Sequence, residues 1–332
     1  MSASVTGGPA RRSTARRVLQ VLVVAVFVAF LVVALVRRWT EVRAVLGQLS
    51  VQAMAVACAA AFAAIWASFL CWRAVLADLS GTVGVPLTGA MRIFFVGQAG
   101  KYVPGAVWPI LTQTRLGKEY DVPPRASSAA AAIFMLMILG SGLLVAVVCL
   151  PLLGGARAAG RYWWALLALP AAAVLLWPPV LNRLVAAALR LARRQSMPRP
   201  LTFAGVARSA GWSLVMWALF GTHLWALLRD LGAHRPALLL VAMGAYAASW
   251  SIGFLLVLAP AGAGPREVAL ILLLGPTLAA APATVAALVS RLIITVGDLG
   301  WSGVAIVAER RRKRALARQA RSPLPVDADV RP

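Results

Sequence analysis

Residues 127–150 read SSAAAAIFMLMILGSGLLVAVVCL, a run that contains no charged side chain. An α-helix rises 1.5 Å per residue, so this run is about 36 Å long as a helix, enough to cross the roughly 30 Å hydrocarbon core of a bilayer. Further apolar runs suited to crossing lie at 18–36, 51–72, 162–177, 210–228, 236–259 and 284–307. The chain is therefore predicted to be an all-α, polytopic membrane protein.

Composition supports a membrane protein and argues against a soluble one. Of the 332 residues, 61% are hydrophobic and only 13% are charged, more apolar than a soluble domain of this size requires. The net charge of +23 is concentrated in blocks between apolar runs and not on an aromatic-studded soluble face, so nucleic acid is not expected as a partner. The three cysteines, Cys58, Cys71 and Cys149, have no metal-type spacing.

The distribution of Lys and Arg predicts the topology. Their number alternates between high and low along the loops, which by the positive-inside rule places both termini in the cytoplasm. Two cytoplasmic termini require an even number of crossings, so the short apolar segment 268–281 is predicted to cross as the eighth span. The predicted divisions are a basic cytoplasmic N-terminus (1–17), a transmembrane domain (18–307) and a basic, partly disordered cytoplasmic tail (308–332).

The predicted location is the cell membrane of a bacterium, because arginine and alanine are abundant in the manner of a GC-rich genome.

A cleaved signal peptide is the competing interpretation of 18–36. That stretch is too long for a signal peptide, and Arg37 and Arg38 follow it where a cleavage site of small residues would be needed.

A first motif interrupts the apolar pattern at 91–117, MRIFFVGQAGKYVPGAVWPILTQTRLG. Its glycines and prolines exclude one regular helix, and irregular backbone at membrane depth is tolerated only against protein or a water-filled cavity. A re-entrant element is therefore predicted. Within or just after the break stand cationic and aromatic side chains that suit a phosphate or carboxylate headgroup, namely Lys101, Tyr102, Trp108 and Arg115. The alternative is a cytoplasmic loop whose lysine extends to the interface.

A second motif, LAPAGAGPREVAL at 258–270, precedes the short segment. Pro265 is suited to the first position of a helix, and Glu267 would lie in its first turn. Two broken hydrophobic segments, one in each half of a transporter-like chain, are a sequence indication of a substrate site. The alternative is structural: Glu267 complements the helix dipole and Arg266 lies at the interface.

The last span contains a polar stripe. Its members are spaced i, i+4, i+7 and i+11, which places them on one helical face: Arg291, Thr295, Asp298 and Ser302. Charges at this depth usually line a bundle interior, so Arg291 and Asp298 are candidate functional residues, with a structural ion pair as the alternative. No catalytic signature such as HExxH, GxSxG or a phosphate-binding loop is present, and no catalytic residue, cofactor or metal is predicted.

The runs GKYVPGAVW (100–108), Arg115-Leu116-Gly117 and PAGAGPRE (260–267) resemble the bacterial lysylphosphatidylglycerol synthase transmembrane family, also called flippase-like. The resemblance implies an eight-helix domain with two re-entrant motifs around a lipid-headgroup cavity. It assigns two sets of motif residues: Lys101, Tyr102, Pro104, Gly105 and Trp108 in the first, and Pro260, Gly262, Gly264, Arg266 and Glu267 in the second. Pro265 departs from the family pattern, which more usually has a hydrophobic residue there.

The function implied by this resemblance is movement of a modified phospholipid or a polyprenyl-linked sugar between leaflets. We expect Lys101, Arg266 and Arg291 to neutralise a phosphate, while Glu267 and Asp298 hold those cations or contact a headgroup amine. Expected partners are membrane lipids with anionic or polyprenyl-phosphate headgroups.

Two other functions stay open. One is a non-transporting scaffold for an envelope glycosyltransferase or aminoacyl transferase, and the other is an intramembrane lipid-modifying transferase that uses Glu267 or Asp298 as a base. The best-known members have a soluble aminoacyl transferase domain after the membrane domain, whereas this chain ends soon after 307. Lysyl transfer by this chain alone is therefore not expected.

Overall fold

The computed structural model describes residues 39–80, 84–102, 107–153, 170, 174, 177–191, 199–256, 262 and 264–319. All regular secondary structure in these residues is helical. The helices are α1 (Trp39–Leu46), α2 (Val51–Ser80), α3 (Leu87–Met91), α4 (Gly97–Ala99), α5 (Trp108–Gly117), α6 (Pro124–Leu153), α7 (Pro178–Leu191), α8 (Phe203–Asp230), α9 (Leu238–Leu255), α10 (Pro265–Leu274) and α11 (Ala280–Gln319). A π-helical turn at Arg92–Val96 joins α3 to α4, and 3-10 turns follow at Gly100–Tyr102 and Lys118–Tyr120.

Five of the described helices are long and apolar enough to cross a membrane: α2, α6, α8, α9 and α11. They contain or overlap the predicted spans 51–72, 127–150, 210–228, 236–259 and 284–307, so the prediction of an all-α, polytopic membrane protein is confirmed. The predicted span 18–36 and nearly all of 162–177 lie outside the described residues. The helix α11 has 40 residues, about 60 Å, because its basic segment continues as helix beyond the apolar run.

The helices α2 and α8 form an antiparallel pair that is fixed at both ends by carboxylates. At one end Asp78 accepts hydrogen bonds from the backbone and hydroxyl of Thr202 at 2.7 and 2.8 Å. At the other end Asp230 accepts one from the Ser50 hydroxyl at 3.1 Å. Between them His223 lies fully buried, with Nδ1 2.9 Å from the Ala57 carbonyl and Nε2 2.9 Å from Ser290 Oγ. This geometry fits a packing role for His223.

The first motif folds into a helical hairpin, formed by residues 87–102 and 108–120. One arm contains the π-helical turn, where the Phe95 ring stacks on Trp301 of α11. The Phe95 carbonyl accepts a 3.0 Å hydrogen bond from the Ser302 hydroxyl. The other arm is α5. The arms pack closely: a Cβ atom added at Gly100 would lie only 3.1 Å from the backbone nitrogen of Pro109, so glycine is required there.

Both ends of the hairpin lie beside the basic end of α11, which we call the tail side of the bundle. Thr88 donates a 2.6 Å hydrogen bond to Glu309, and Glu119 is paired with Arg92 at 2.6 Å and with Lys313 at 3.2 Å. The Arg92 guanidinium is the main reason that the pKa of Glu119 is lowered. The hairpin therefore enters and leaves the bundle on the tail side, as expected for a re-entrant element.

The second motif leads into the short helix α10. Arg235, just before α9, donates a 3.2 Å hydrogen bond to Thr277, just after α10, so α10 runs back toward the end of the bundle where α9 begins. Its ten residues are only about 15 Å long, half the thickness of the bilayer core. The predicted segment 268–281 is thus shifted: the helix begins at Pro265, and the chain turns at Gly275 and Pro276. A complete eighth crossing stays a prediction.

Replacing Gly97 by alanine is expected to destabilise the hairpin. An added Cβ would overlap the Cγ of Gln113 on the opposite arm, so the arms would have to separate, at a cost of about 1–3 kcal/mol. The measurement is the thermal unfolding midpoint in detergent. Gly211→Ala is the matched control, because Gly211 is also helical and a Cβ there would meet nothing within 4 Å. Equal midpoints for both variants would contradict the packing described.

Candidate functional site

The apex of the hairpin contacts the polar stripe of α11. Lys101 Nζ lies 2.6 Å from Asp298 Oδ2, and the Tyr102 hydroxyl donates a 2.6 Å hydrogen bond to the same oxygen. Asp298 is only 8% exposed, and Glu309 on the tail side lies eleven residues further, about 16 Å along the helix axis. The first motif therefore delivers a cation and a hydroxyl deep into the bundle.

The start of α10 contacts the same stripe. Arg291 Nη1 lies 3.4 Å from Glu267 Oε1, while Glu267 Oε2 accepts a hydrogen bond from the backbone N–H of Gly264. Gly264 has φ +105°, a conformation that favours glycine. Pro265 occupies the first helical turn, where its missing backbone N–H costs no hydrogen bond within the helix. Pro265, the departure from the family pattern, is thus compatible with the local geometry. Glu267 caps the half-helix and pairs with α11 at the same time.

Close packing on α9 positions the second motif. A Cβ at Gly262, which has φ +66°, would lie 3.1 Å from the Gly253 carbonyl oxygen. A Cβ at Gly253 would in turn lie 2.8 Å from the Cβ of Arg266. The glycines let the loop and α10 approach α9, so that the Arg266 guanidinium lies 4.7 Å from the centre of the Tyr246 ring.

Arg266 differs from the other two cations of the site. Its residue is 8% exposed, and among the described residues no carboxylate lies within 4.0 Å of its guanidinium. The Tyr246 ring stabilises the charge through a cation-π contact but does not neutralise it. A buried guanidinium without a counter-ion is strongly disfavoured unless an anion is supplied.

The five charged residues form one group on facing helices, which we call the central cluster: Lys101, Arg266, Glu267, Arg291 and Asp298. The two ion pairs, Lys101 with Asp298 and Arg291 with Glu267, both involve α11, where Arg291 and Asp298 lie seven residues or about 10 Å apart along the helix. Three cations and two carboxylates leave a formal charge of +1. The cluster lies where the hairpin from the tail side meets the half-helix α10 from the opposite side. Its charge and depth suit an anionic group.

Not every predicted residue joins this cluster. Arg115 is exposed in the last turn of α5, two turns of helix from Trp108 and toward the tail side, because α5 leads away from the apex. Trp108 is half-buried at the start of α5. Pro104 and Gly105 of the first motif, and Pro260 of the second, lie outside the described residues.

Sequence analysis missed two residues. Tyr246 lies in the apolar run that forms α9, where nothing in the sequence marks it, yet its ring lies under the Arg266 guanidinium. The second is Gln113, which is 1% exposed inside the hairpin and whose amide has no hydrogen-bond partner among the described residues. Gln113 lies among other polar residues, Thr112, Thr114 and Arg115, so the sequence did not single it out. In the described part of the chain, no group of three His, Cys, Asp or Glu residues is placed to hold a metal ion.

The described residues form an all-helical membrane domain. A re-entrant hairpin and a half-helix meet in it at a buried charged cluster, so the protein belongs to the class of polytopic membrane proteins with broken helices. The family described as the lysylphosphatidylglycerol synthase TM region matches residues 17–300, and the chain belongs to that family. Both motifs fall inside the matched range, so the resemblance drawn from them is confirmed. A search of curated proteins gave no significant match.

Proposed function

We propose that this protein is a lipid translocase that moves a phosphate-bearing lipid, such as an aminoacylated phospholipid or a polyprenyl-linked sugar, between leaflets. Membership of the family supports a role connected with membrane lipids. The observation that carries the more specific proposal is Arg266, a buried cation that has no carboxylate partner among the described residues and lies in a cluster with a formal charge of +1.

The charge pattern fits a phosphodiester better than a cation. A single phosphate in the cluster would balance the formal charge, with Arg266 as its first contact and the amides of the half-helix N-terminus nearby. Arg is suited to bidentate contact with phosphate, and such charge-assisted hydrogen bonds are roughly twice as strong as neutral ones. A cationic headgroup amine would meet Glu267 or Asp298, as expected for an aminoacylated lipid.

The contacts of Lys101 provide a way to admit the headgroup. Its side chain is a third exposed, whereas its partner Asp298 is buried, so a phosphate can approach the ammonium from the open side. In this mechanism the phosphate takes Lys101 as a partner while Tyr102 continues to donate to Asp298. The headgroup then passes from one side of the cluster to the other, and Lys101 returns to Asp298 when the phosphate leaves. No bond in the lipid is broken.

The proposed location is the cell membrane, with the tail side facing the cytoplasm. The basic residues Arg310 to Arg314 lie on that side, as the positive-inside rule requires. The proposed partners are lipids with anionic or polyprenyl-phosphate headgroups. An envelope glycosyltransferase or aminoacyl transferase would supply the cargo.

The test is lipid movement in proteoliposomes that contain the purified protein, compared with protein-free vesicles. Fluorescent phosphatidylglycerol, aminoacylated phosphatidylglycerol, a polyprenyl phosphate and phosphatidylcholine would each be assayed. Faster movement of at least one anionic or aminoacylated lipid, with phosphatidylcholine unchanged, is expected. If no lipid moves faster, the proposal fails and the scaffold is favoured. A new lipid species in mass spectra of the vesicles would instead favour a lipid-modifying transferase.

A further inference from the structure

A second basic site lies at the end of the bundle opposite the tail side. The connection between α8 and α9 borders a largely open groove of about 350 Å³. Three basic side chains line this groove, Arg229, His234 and Arg235, together with Trp225. We call it the distal pocket. It does not include any residue of the central cluster.

Two arginines, Arg229 and Arg235, belong to this connection, which the proposed topology places on the side opposite the cytoplasm. Arg229 is exposed and its guanidinium lies 5.4 Å from the centre of the Trp225 ring, so the ring holds the charge at the mouth of the pocket. Arg229 is therefore accessible to an anion at the mouth of the pocket.

A neighbouring carboxylate offsets part of this positive charge. Asp230 directly follows Arg229, but its two oxygens accept hydrogen bonds from the backbone and the hydroxyl of Ser50 at the start of α2. The Arg235 guanidinium donates to Thr277, which connects the pocket to the end of α10. With His234 counted as neutral, Arg229, Arg235 and Asp230 leave a formal charge of +1 beside a groove whose volume is in the lower range of ligand sites.

The surroundings of the pocket fit a lipid better than a soluble ion. Immediately after the pocket, Leu239 and Leu240 are each more than 40% exposed on the first turn of α9. Trp225 is an aromatic residue of the kind that occupies the level of lipid headgroups. An occupant with a negative headgroup and hydrocarbon chains would contact the basic residues and the leucines together.

We propose that the distal pocket binds the phosphate of an anionic phospholipid, with the acyl chains along the Leu239 and Leu240 side of α9. This binding does not depend on translocation, and it uses none of the residues of the central cluster. The hydrogen bond from Arg235 to Thr277, just after the end of α10, links the pocket indirectly to the half-helix.

The first test is native mass spectrometry of the full chain with added palmitoyl-oleoyl phosphatidylglycerol or phosphatidylcholine. The variant Arg229→Gln with His234→Gln is expected to bind one phosphatidylglycerol fewer than the wild type, or to bind it about tenfold more weakly, as for loss of a charged contact. Phosphatidylcholine binding should not change. The control is Arg208→Gln, which removes an exposed arginine from the tail-side end of the same helix.

A titration with inorganic phosphate separates the two sources of the anion. No measurable binding of phosphate at millimolar concentration supports the lipid, whereas binding that the double variant abolishes would show a site for a soluble anion and overturn the proposal. Equal phosphatidylglycerol binding by the wild type and the double variant, or equal loss in Arg208→Gln, would also overturn it. Photoactivatable phosphatidylglycerol applied to the wild type should label the peptide around 225–240, and labelling confined to other segments would contradict the site without any variant.

Discussion

Replacement of Arg266 by glutamine is expected to slow translocation of the transported lipid by about tenfold to a hundredfold, the range expected when a charged hydrogen bond worth about 1.5–3 kcal/mol is lost. The substitution lowers the formal charge of the central cluster from +1 to 0. Because Arg266 has no carboxylate partner among the described residues, its loss leaves no carboxylate unpaired. Glutamine also keeps most of the apolar stem beside Gly253. The thermal unfolding midpoint should therefore change little.

The measurement is the initial rate of headgroup movement in proteoliposomes at matched reconstitution. Arg208→Gln removes the same charge from an exposed position and should retain the wild-type rate. A variant at Arg266 that keeps more than half of the wild-type rate would show that this cation does not bind the headgroup. A scaffold function predicts that result, because a scaffold has no need of charge inside the bundle.

Replacement of Asp298 by alanine is expected to affect both stability and translocation. It removes the acceptor of Lys101 and of Tyr102 together, and leaves a partly buried ammonium without its partner. Removing one member of a buried pair destabilises by about 3–5 kcal/mol, and we expect about 2–3 kcal/mol here because Lys101 is a third exposed. The measurements are the unfolding midpoint and the rate of lipid movement, both of which should fall.

A second variant distinguishes the two effects. Lys101→Met combined with Asp298→Leu removes both charges and replaces them with apolar side chains of similar size. Such replacements are often neutral or stabilising, so the unfolding midpoint should return toward that of the wild type. Translocation should stay low, since Lys101 can no longer contact the phosphate. Recovery of both properties would mean that the pair is purely structural, whereas recovery of neither would mean that the hairpin requires this contact to fold.

The arrangement of the central cluster gives a physical reason for its two broken segments. A continuous helix would satisfy its own backbone groups and would present only side chains to a lipid headgroup. The hairpin reaches α11 at Asp298 and α10 starts beside Arg291, about 10 Å away along that helix, so the two breaks bring three cations into the middle of the bundle. The start of α10 also presents backbone amides that have no partner within the helix. Glu267 already uses one of these amides, that of Gly264, which shows that the N-terminus of α10 accepts a negative group.

The amino-acid sequence by itself determined the class of the protein. Uninterrupted apolar runs of some twenty residues have no stable conformation in a bilayer other than the helix, because lipid offers no hydrogen-bond partners to the backbone. For the same reason the glycines and prolines around Lys101 and before Arg266 marked the two places where the helices break. The stripe of Arg291 and Asp298 could be predicted as inward-facing, since helical spacing fixes which residues share a face.

Tertiary structure alone decided which of these residues meet. Sequence spacing places Asp298 opposite no particular partner, and its pairing with Lys101, almost two hundred residues earlier, depends on how the hairpin packs against α11. Arg115 was predicted beside the same site but lies elsewhere, because the direction of α5 after the apex is fixed by the Glu119 contacts with Arg92 and Lys313. Tyr246 joins the site only because Gly253 lets Arg266 approach α9. Such contacts between distant segments arise from packing of complete helices, for which local sequence patterns contain no information.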